Sequence, residues 1–251
     1  MAVHSSGKIL VPILLLVHAI DSNAQVDLGV KVGANYNVWS PIEFNWYQIG
    51  TYPAATYSGS GYHVGGLLRA PISDNLAFHC ELLYSARDVR HDMDATIDYF
   101  DGFVDHTQRV HGSDEFRLRY LDLPLLLSLR SGRHLNLQLG PVIGFGLNFQ
   151  RKGSFTVEET FSGSTDTEII AYDLSEPVIS ENVDMGIVVG LGYEWDGGFQ
   201  LGLRYMRGLT TTGIPDTPVY SSDQGDGIHQ NVFQFSAGYW LTKVEQHSGL
   251  E

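Results

Sequence analysis

Eight charged residues occupy positions where chemistry is possible inside a closed fold. Lys31, Glu81, Asp122 and Arg204 fall at similar depth, with Arg69 and Glu194 toward one end and Arg119 and Asp184 toward the other. Each stands in a segment whose alternate residues are mostly apolar, so each is a polar exception projecting from a patterned element. Two cations and two carboxylates at one depth admit two arrangements. In a filled interior they pair with one another, because a lone buried charge is costly. Around an open channel the same ring selects ions or passes protons. The narrow interior expected below favours the paired plug.

Other candidates are less specific. Residues 86–115 hold Asp88, Asp92, Asp94, Asp98, Asp101 and Asp105 with His91, His106 and His111. Carboxylates and imidazoles can bind divalent metal, but this spacing matches neither an EF-hand loop nor a zinc motif. It reads as a solvated acidic loop, so neither metal nor cofactor is expected. Ser, Asp and His occur in several polar stretches without a Gly-x-Ser-x-Gly, a His-Glu-x-x-His or a phosphate-binding loop. Gly190-Leu-Gly192 and Gly144-Phe-Gly146 lack a third glycine and lie in strand-like segments. An enzyme is therefore not expected. Trp39, Phe44, Trp46, Tyr47, Tyr52 and Tyr57 form an aromatic group that either meets a partner or folds as a lid over the interior.

The elements that must position these residues follow a period of two. In residues 26–38, Val26, Leu28, Val30, Val32, Ala34, Tyr36 and Val38 alternate with Asp27, Gly29, Lys31, Gly33, Asn35 and Asn37. Strict alternation gives a strand one apolar and one polar face, whereas a helix would scatter these residues around its axis. Related patterns recur in residues 61–70, 76–85, 116–129, 135–149, 183–195, 199–209 and 232–241. Within 116–129 the phase changes, which predicts a bulge near Tyr120.

Eight segments of about 9–11 residues or slightly more suit tilted membrane strands. Their connections alternate between short turns (71–75, 130–134, 196–198) and long polar loops (40–60, 86–115, 150–182, 210–230). The expected fold is all-β: an eight-stranded antiparallel up-and-down transmembrane β-barrel with long loops outside the cell. Large apolar residues would face lipid, since they exceed what an eight-stranded interior holds. Tyr36, Tyr62, Tyr84, Phe149, Tyr205 and Phe233 would form an outer aromatic girdle, and Trp195, Phe199 and Tyr239 a periplasmic one. A soluble, ligand-carrying barrel would place its apolar face inside and its charges outside. Here the apolar face is almost free of charge, with Arg207 at its edge.

The first 24 residues read as a signal peptide. Lys8 precedes an apolar run at residues 9–20, and Ser22-Asn23-Ala24 places small residues at the cleavage site. Twelve helical residues rise only about 18 Å, short of a bilayer core of about 30 Å. The mature chain is expected to start at Gln25, with the barrel over residues 25–241 and a tail over 242–251. The formal charge is −14, which argues against nucleic acid as a partner. The single Cys80 rules out an internal disulfide.

Several strand sequences resemble the PorT-like outer-membrane β-barrel proteins of Bacteroidetes. The matching pieces are Gly29-Val-Lys-Val-Gly-Ala-Asn-Tyr36, Gly61-Tyr-His-Val-Gly-Gly66, Glu81-Leu-Leu-Tyr-Ser85 and Tyr120-Leu-Asp-Leu-Pro-Leu125. They continue with Leu139-Gly-Pro-Val-Ile-Gly144, Gly190-Leu-Gly-Tyr-Glu194, Leu203-Arg-Tyr205 and Phe233-Gln-Phe-Ser-Ala-Gly-Tyr239. Such chains usually end on an aromatic residue of the last strand, whereas this one continues to Glu251. The resemblance implies an outer-membrane location and lipid as surroundings. The expected role is structural or binding, with an extracellular ligand or other envelope proteins met through the long loops. Alternatives are a small pore or transport barrel, an accessory of type IX protein secretion as the family namesake suggests, and an enzyme at the rim.

Overall fold

The computed structural model describes residues 26–39, 42–46, 50–55, 57–100, 102–176, 183–210 and 229–242. The expected signal peptide lies outside the described residues, as do all but the first residue of the tail and most of the expected loop at 210–230.

The described residues form eleven strands: β1 (Asp27–Trp39), β2 (Ile42–Trp46), β3 (Gly50–Ala55), β4 (Ser58–Pro71), β5 (Leu76–Phe100), β6 (Asp105–Ser131), β7 (Leu135–Phe161), β8 (Ser164–Glu176), β9 (Val183–Glu194), β10 (Phe199–Gly208) and β11 (Gln230–Trp240). Eight of them close a ring. β6, β5, β4, β1, β11, β10, β9 and β7 pair in that order, and β6 pairs with β7 to complete the circle. Every pairing is antiparallel. β2 and β3 form a separate hairpin. The expected eight-stranded barrel is therefore the observed one.

Facing follows the alternation. On β1 the odd residues from Asp27 to Trp39 point inward, while Leu28, Val30, Val32 and Tyr36 are about half exposed. Leu191, Leu203 and Phe235 are similarly exposed on the outer wall. In water, such a continuous apolar band would be unfavourable; facing lipid, it is the surface a membrane barrel requires. The inward set is not wholly polar. Leu126, Val142, Val188, Met206 and Val232 form an internal apolar cluster on the wall that β6, β7, β9, β10 and β11 share.

Three expected loops hold strands instead: β2, β3 and the first residues of β4 fall in 40–60, and the other two extend the wall. β5 and β6 remain paired from Leu76↔Leu129 to Phe100↔Asp105, and β7 continues into β8 from Phe149↔Glu176 to Phe161↔Ser164. Residues 86–115 and most of 150–182 thus form hairpins that rise beyond the barrel wall. Polar side chains hid this: above the membrane an outward face no longer needs apolar residues, so the alternation that marks a lipid-facing strand fades. The β7–β8 turn is tight, with φ of 46° at Ser162 and 80° at Gly163, the two positive values that a two-residue hairpin turn demands.

The bulge lies where expected, but on the neighbouring strand. β6 keeps one phase throughout, with Asp114, Phe116, Leu118, Tyr120 and Asp122 all inward. The register shifts between Arg119 and Tyr120, opposite an extra residue on β7. Leu147 and Asn148 are both exposed there, after which β7 turns its odd residues inward. Phe149 is consequently buried inside and does not join the outer girdle. The other proposed girdle residues do face out. Tyr62 lies by Tyr84 with ring centres 6.2 Å apart, Tyr205 by Phe233 at 5.1 Å, and Trp195 by Phe199 at 5.3 Å.

Candidate functional site: the sealed lumen

Three tiers of ion pairs cross the lumen. In the middle tier, Lys31 Nζ donates to both oxygens of Glu81 at 2.8 and 2.9 Å. Arg204 reaches the same carboxylate from the far wall, with Nη1 to Oε2 at 2.6 Å and Nη2 to Oε1 at 2.7 Å. Its Nε and Nη2 also donate to Gln138 Oε1 at 2.8 and 2.6 Å. All three charged side chains are at most 5 % exposed, so two cations share one carboxylate, and the Gln138 amide, not water, supplies Arg204 with its further acceptor. Just outward of this tier, His63 Nδ1 lies 2.7 Å from Asn35 Oδ1.

Space for these long side chains comes from glycines on the inward face. A Cβ at Gly190 would lie 2.6 Å from Cγ of Arg204, and one at Gly33 would lie 2.4 Å from the ring of His63. The inward glycines that look like mere small residues in the sequence are the sockets of the charged ones.

Asp122 does not belong to the middle tier. It pairs with Arg87, Nη2 to Oδ1 at 2.6 Å, both nearly fully buried. Arg87 also donates to Gln230 Oε1 at 3.1 Å and lies over the Tyr120 ring at 4.3 Å. Gln230 Nε2 then donates to the Tyr120 hydroxyl at 3.1 Å and to Asp184 at 3.4 Å. Asp184 thus sits inside toward the outer end, as expected. Arg119 does not: it faces outward and pairs with Asp88 on the same outer surface. Because β6 has no phase change, Arg119 falls opposite in facing to Asp122.

The third tier closes the periplasmic end. Arg69 bridges Asp27 and Glu194, each at 2.6 Å, and lies over the Trp240 ring at 4.3 Å. Trp240 Nε1 donates to Glu194 at 3.2 Å. Below this tier a cavity of about 560 Å³ opens to the periplasm, lined by Asp27, Arg69, His79, Asn136, Glu194 and Trp240 among others.

Sequence reading missed Arg87, Asp27 and Gln138 as partners. Arg87 was legible in principle, since the inward series His79, Glu81, Ser85 on β5 continues to it. Asp27 is the Cα partner of Arg69 in the β1–β4 ladder, a relation that requires the register.

The outer mouth is closed by an apolar cluster beneath the hairpins. Trp39, Tyr57, Val89, Val110, Phe116, Leu118, Phe149 and Phe155 pack there. Phe116 lies 4.9 Å from Trp39 and 5.4 Å from Tyr57 between ring centres. A buried pair is set into this cluster, Arg151 Nη2 to Asp114 Oδ2 at 2.7 Å, with Arg151 over Phe116 at 4.7 Å. Trp39 and Tyr57 therefore act as a lid; Phe44, Trp46, Tyr47 and Tyr52 have side chains outside the described residues. Among the described residues no three His, Cys, Asp or Glu side chains converge as a metal site would require; Asp88, Asp92, Asp94, Asp98 and Asp105 lie on the outer face of the hairpin, whereas His91 and His106 lie on its inner face.

Comparison with curated proteins gives no match. Among solved structures, the chain is similar to Ail, the attachment invasion locus protein of Yersinia pestis, at 9 % identity and a TM-score of 0.36, covering 86 % of this chain and 99 % of that one. It is also similar to the outer membrane protein AlkL at 13 % identity and 0.38, covering 91 % and 94 %. The N-terminal β-barrel domain of Pseudomonas aeruginosa OprF aligns at 13 % identity and 0.28, covering 86 % and 100 %. The assignment rests on the family match, which spans residues 20–212 and agrees with the closed ring and its apolar outer wall: the chain belongs to the outer membrane protein beta-barrel domain family.

Proposed function

We propose that this outer-membrane barrel is a non-enzymatic anchor and binding protein that displays its extracellular hairpins to a partner. The observation that carries the reading is the filled lumen, three tiers of mutually paired charges beneath an apolar lid. A pore needs a continuous wet path, and opening one through this lumen would break buried ion pairs at three levels. The hairpins that rise above the wall contribute nothing to spanning the bilayer, which supports an outward binding role.

Planar-bilayer recording of the purified protein tests the reading, with electrical silence expected. Steady conductance selective for one ion sign would overturn it and turn the middle tier into a selectivity filter. Affinity capture of tagged protein from intact outer membranes addresses partners. Secretion components among them would favour a type IX accessory, a role that rests on the PorT-like resemblance alone.

A further inference from the structure

The extracellular sheet ends on an open strand. β8 is the last strand in the order, bound to β7 alone through thirteen unbroken antiparallel pairs. Among the described residues nothing pairs with its other edge. Such an edge presents a row of backbone N–H and C=O groups that accepts an added strand. Proteins commonly blunt such edges with Lys, Pro or a bulge. Residues 164–176 contain neither Lys nor Pro, and the β7–β8 register has no shift. Ile169 is 72 % exposed on one face, while Ile170 on the other packs against the lid cluster.

Asp173 is paired with Lys152 of β7 at 2.7 Å, whereas Asp166 and Glu168, toward the β7–β8 turn, are exposed carboxylates on the edge strand. Like charges placed directly opposite destabilise a strand pair, so a second copy of the same edge is disfavoured, and a basic strand is favoured.

We infer that β8 docks an extended basic polypeptide segment as an additional antiparallel or parallel strand. This inference rests on the binding role proposed above and names the class of partner. Backbone pairing supplies the affinity, and Asp166 and Glu168 select for positive charge while repelling acidic strands.

The test is amide hydrogen exchange on the full protein in lipid nanodiscs, with a decapeptide alternating Lys with Val and Thr as probe and its Glu-for-Lys counterpart as control. The expected result is protection gained at alternate amides of β8 with the basic peptide only. The double variant Asp166→Lys with Glu168→Lys should weaken that peptide by about tenfold or more and admit the acidic one. The milder Asp166→Asn with Glu168→Gln keeps side-chain shape and should weaken binding less. Equal protection by both peptides, protection elsewhere than β8, or protected β8 amides in a peptide-free dimer would each overturn the inference. Electrical silence combined with an inert β8 would leave the sealed barrel standing and remove only this docking strand.

Discussion

Arg204 grips both carboxylate oxygens of Glu81 from the opposite side of the barrel, at 2.6 and 2.7 Å. β5 and β10 are separated by β4, β1 and β11 around the ring, so this pair ties walls that no backbone hydrogen bond connects. Arg204→Ala leaves Glu81 with Lys31 alone. Breaking a buried ion pair costs about 3–5 kcal/mol, and the remaining Lys31 contact places the expected loss at the lower end. Urea-dependent unfolding in bilayers measures it. Glu81→Gln with Arg204→Gln leaves Lys31 buried with no carboxylate to pair, so it should be less stable than Arg204→Ala; a double variant more stable than Arg204→Ala would contradict the paired arrangement.

The outer wall gives a second expectation. Leu191 is half exposed and faces lipid beside Leu203 and Leu137, at the depth of the middle tier. Leu191→Arg should lower folding stability in bilayers by about 2–4 kcal/mol. Gly66 also faces out, and a Cβ added there would have nothing within 4 Å, so Gly66→Leu should stay within about 0.5 kcal/mol of the parent. Gly192 is no such neutral position, because a Cβ there would meet the Asn136 amide at 2.4 Å. A larger effect at Gly66 than at Leu191 would invert the assigned facing.

Removal of Phe116 tests the lid. The ring is fully buried among Trp39, Tyr57 and Phe149, and truncating such a residue to Ala costs about 3–5 kcal/mol. The loss should be local. Hydrogen exchange is expected to accelerate in the distal halves of β5 and β6, while the periplasmic halves of the strands keep their protection. Uniform acceleration through the barrel would mean that lid and wall fold as one unit.

Export supplies a fourth expectation. The protein recovered from outer membranes should begin at Gln25, read by mass spectrometry of the N-terminal peptide. A chain retaining Met1 would overturn the signal-peptide reading.

Much of this fold was legible because a membrane imposes period two. On β1, β9 and β11 the lipid-facing residues are nearly all apolar and most inward ones small or polar, so the alternation records facing directly. The same logic placed Lys31, Glu81 and Arg204 at one depth. It failed above the bilayer. There neither face meets lipid, and the distal halves of β5, β6, β7 and β8 carry mixed residues on their outer faces, so paired strands looked like loops.

Three outcomes belonged to the tertiary structure. The phase change near Tyr120 was visible, but the sequence alone could not say which of two neighbours would absorb the extra residue. The β6–β7 register decided for β7, and that single choice turned Phe149 inward and Arg119 outward. Depth along a strand likewise left Asp122 beside Glu81, whereas the β5–β6 register puts Arg87 outward of it on the neighbouring strand, within reach of it. Alternation is a property of one strand read alone; pairing across a lumen depends on which strands the closed ring sets opposite one another, and no period within a strand carries that.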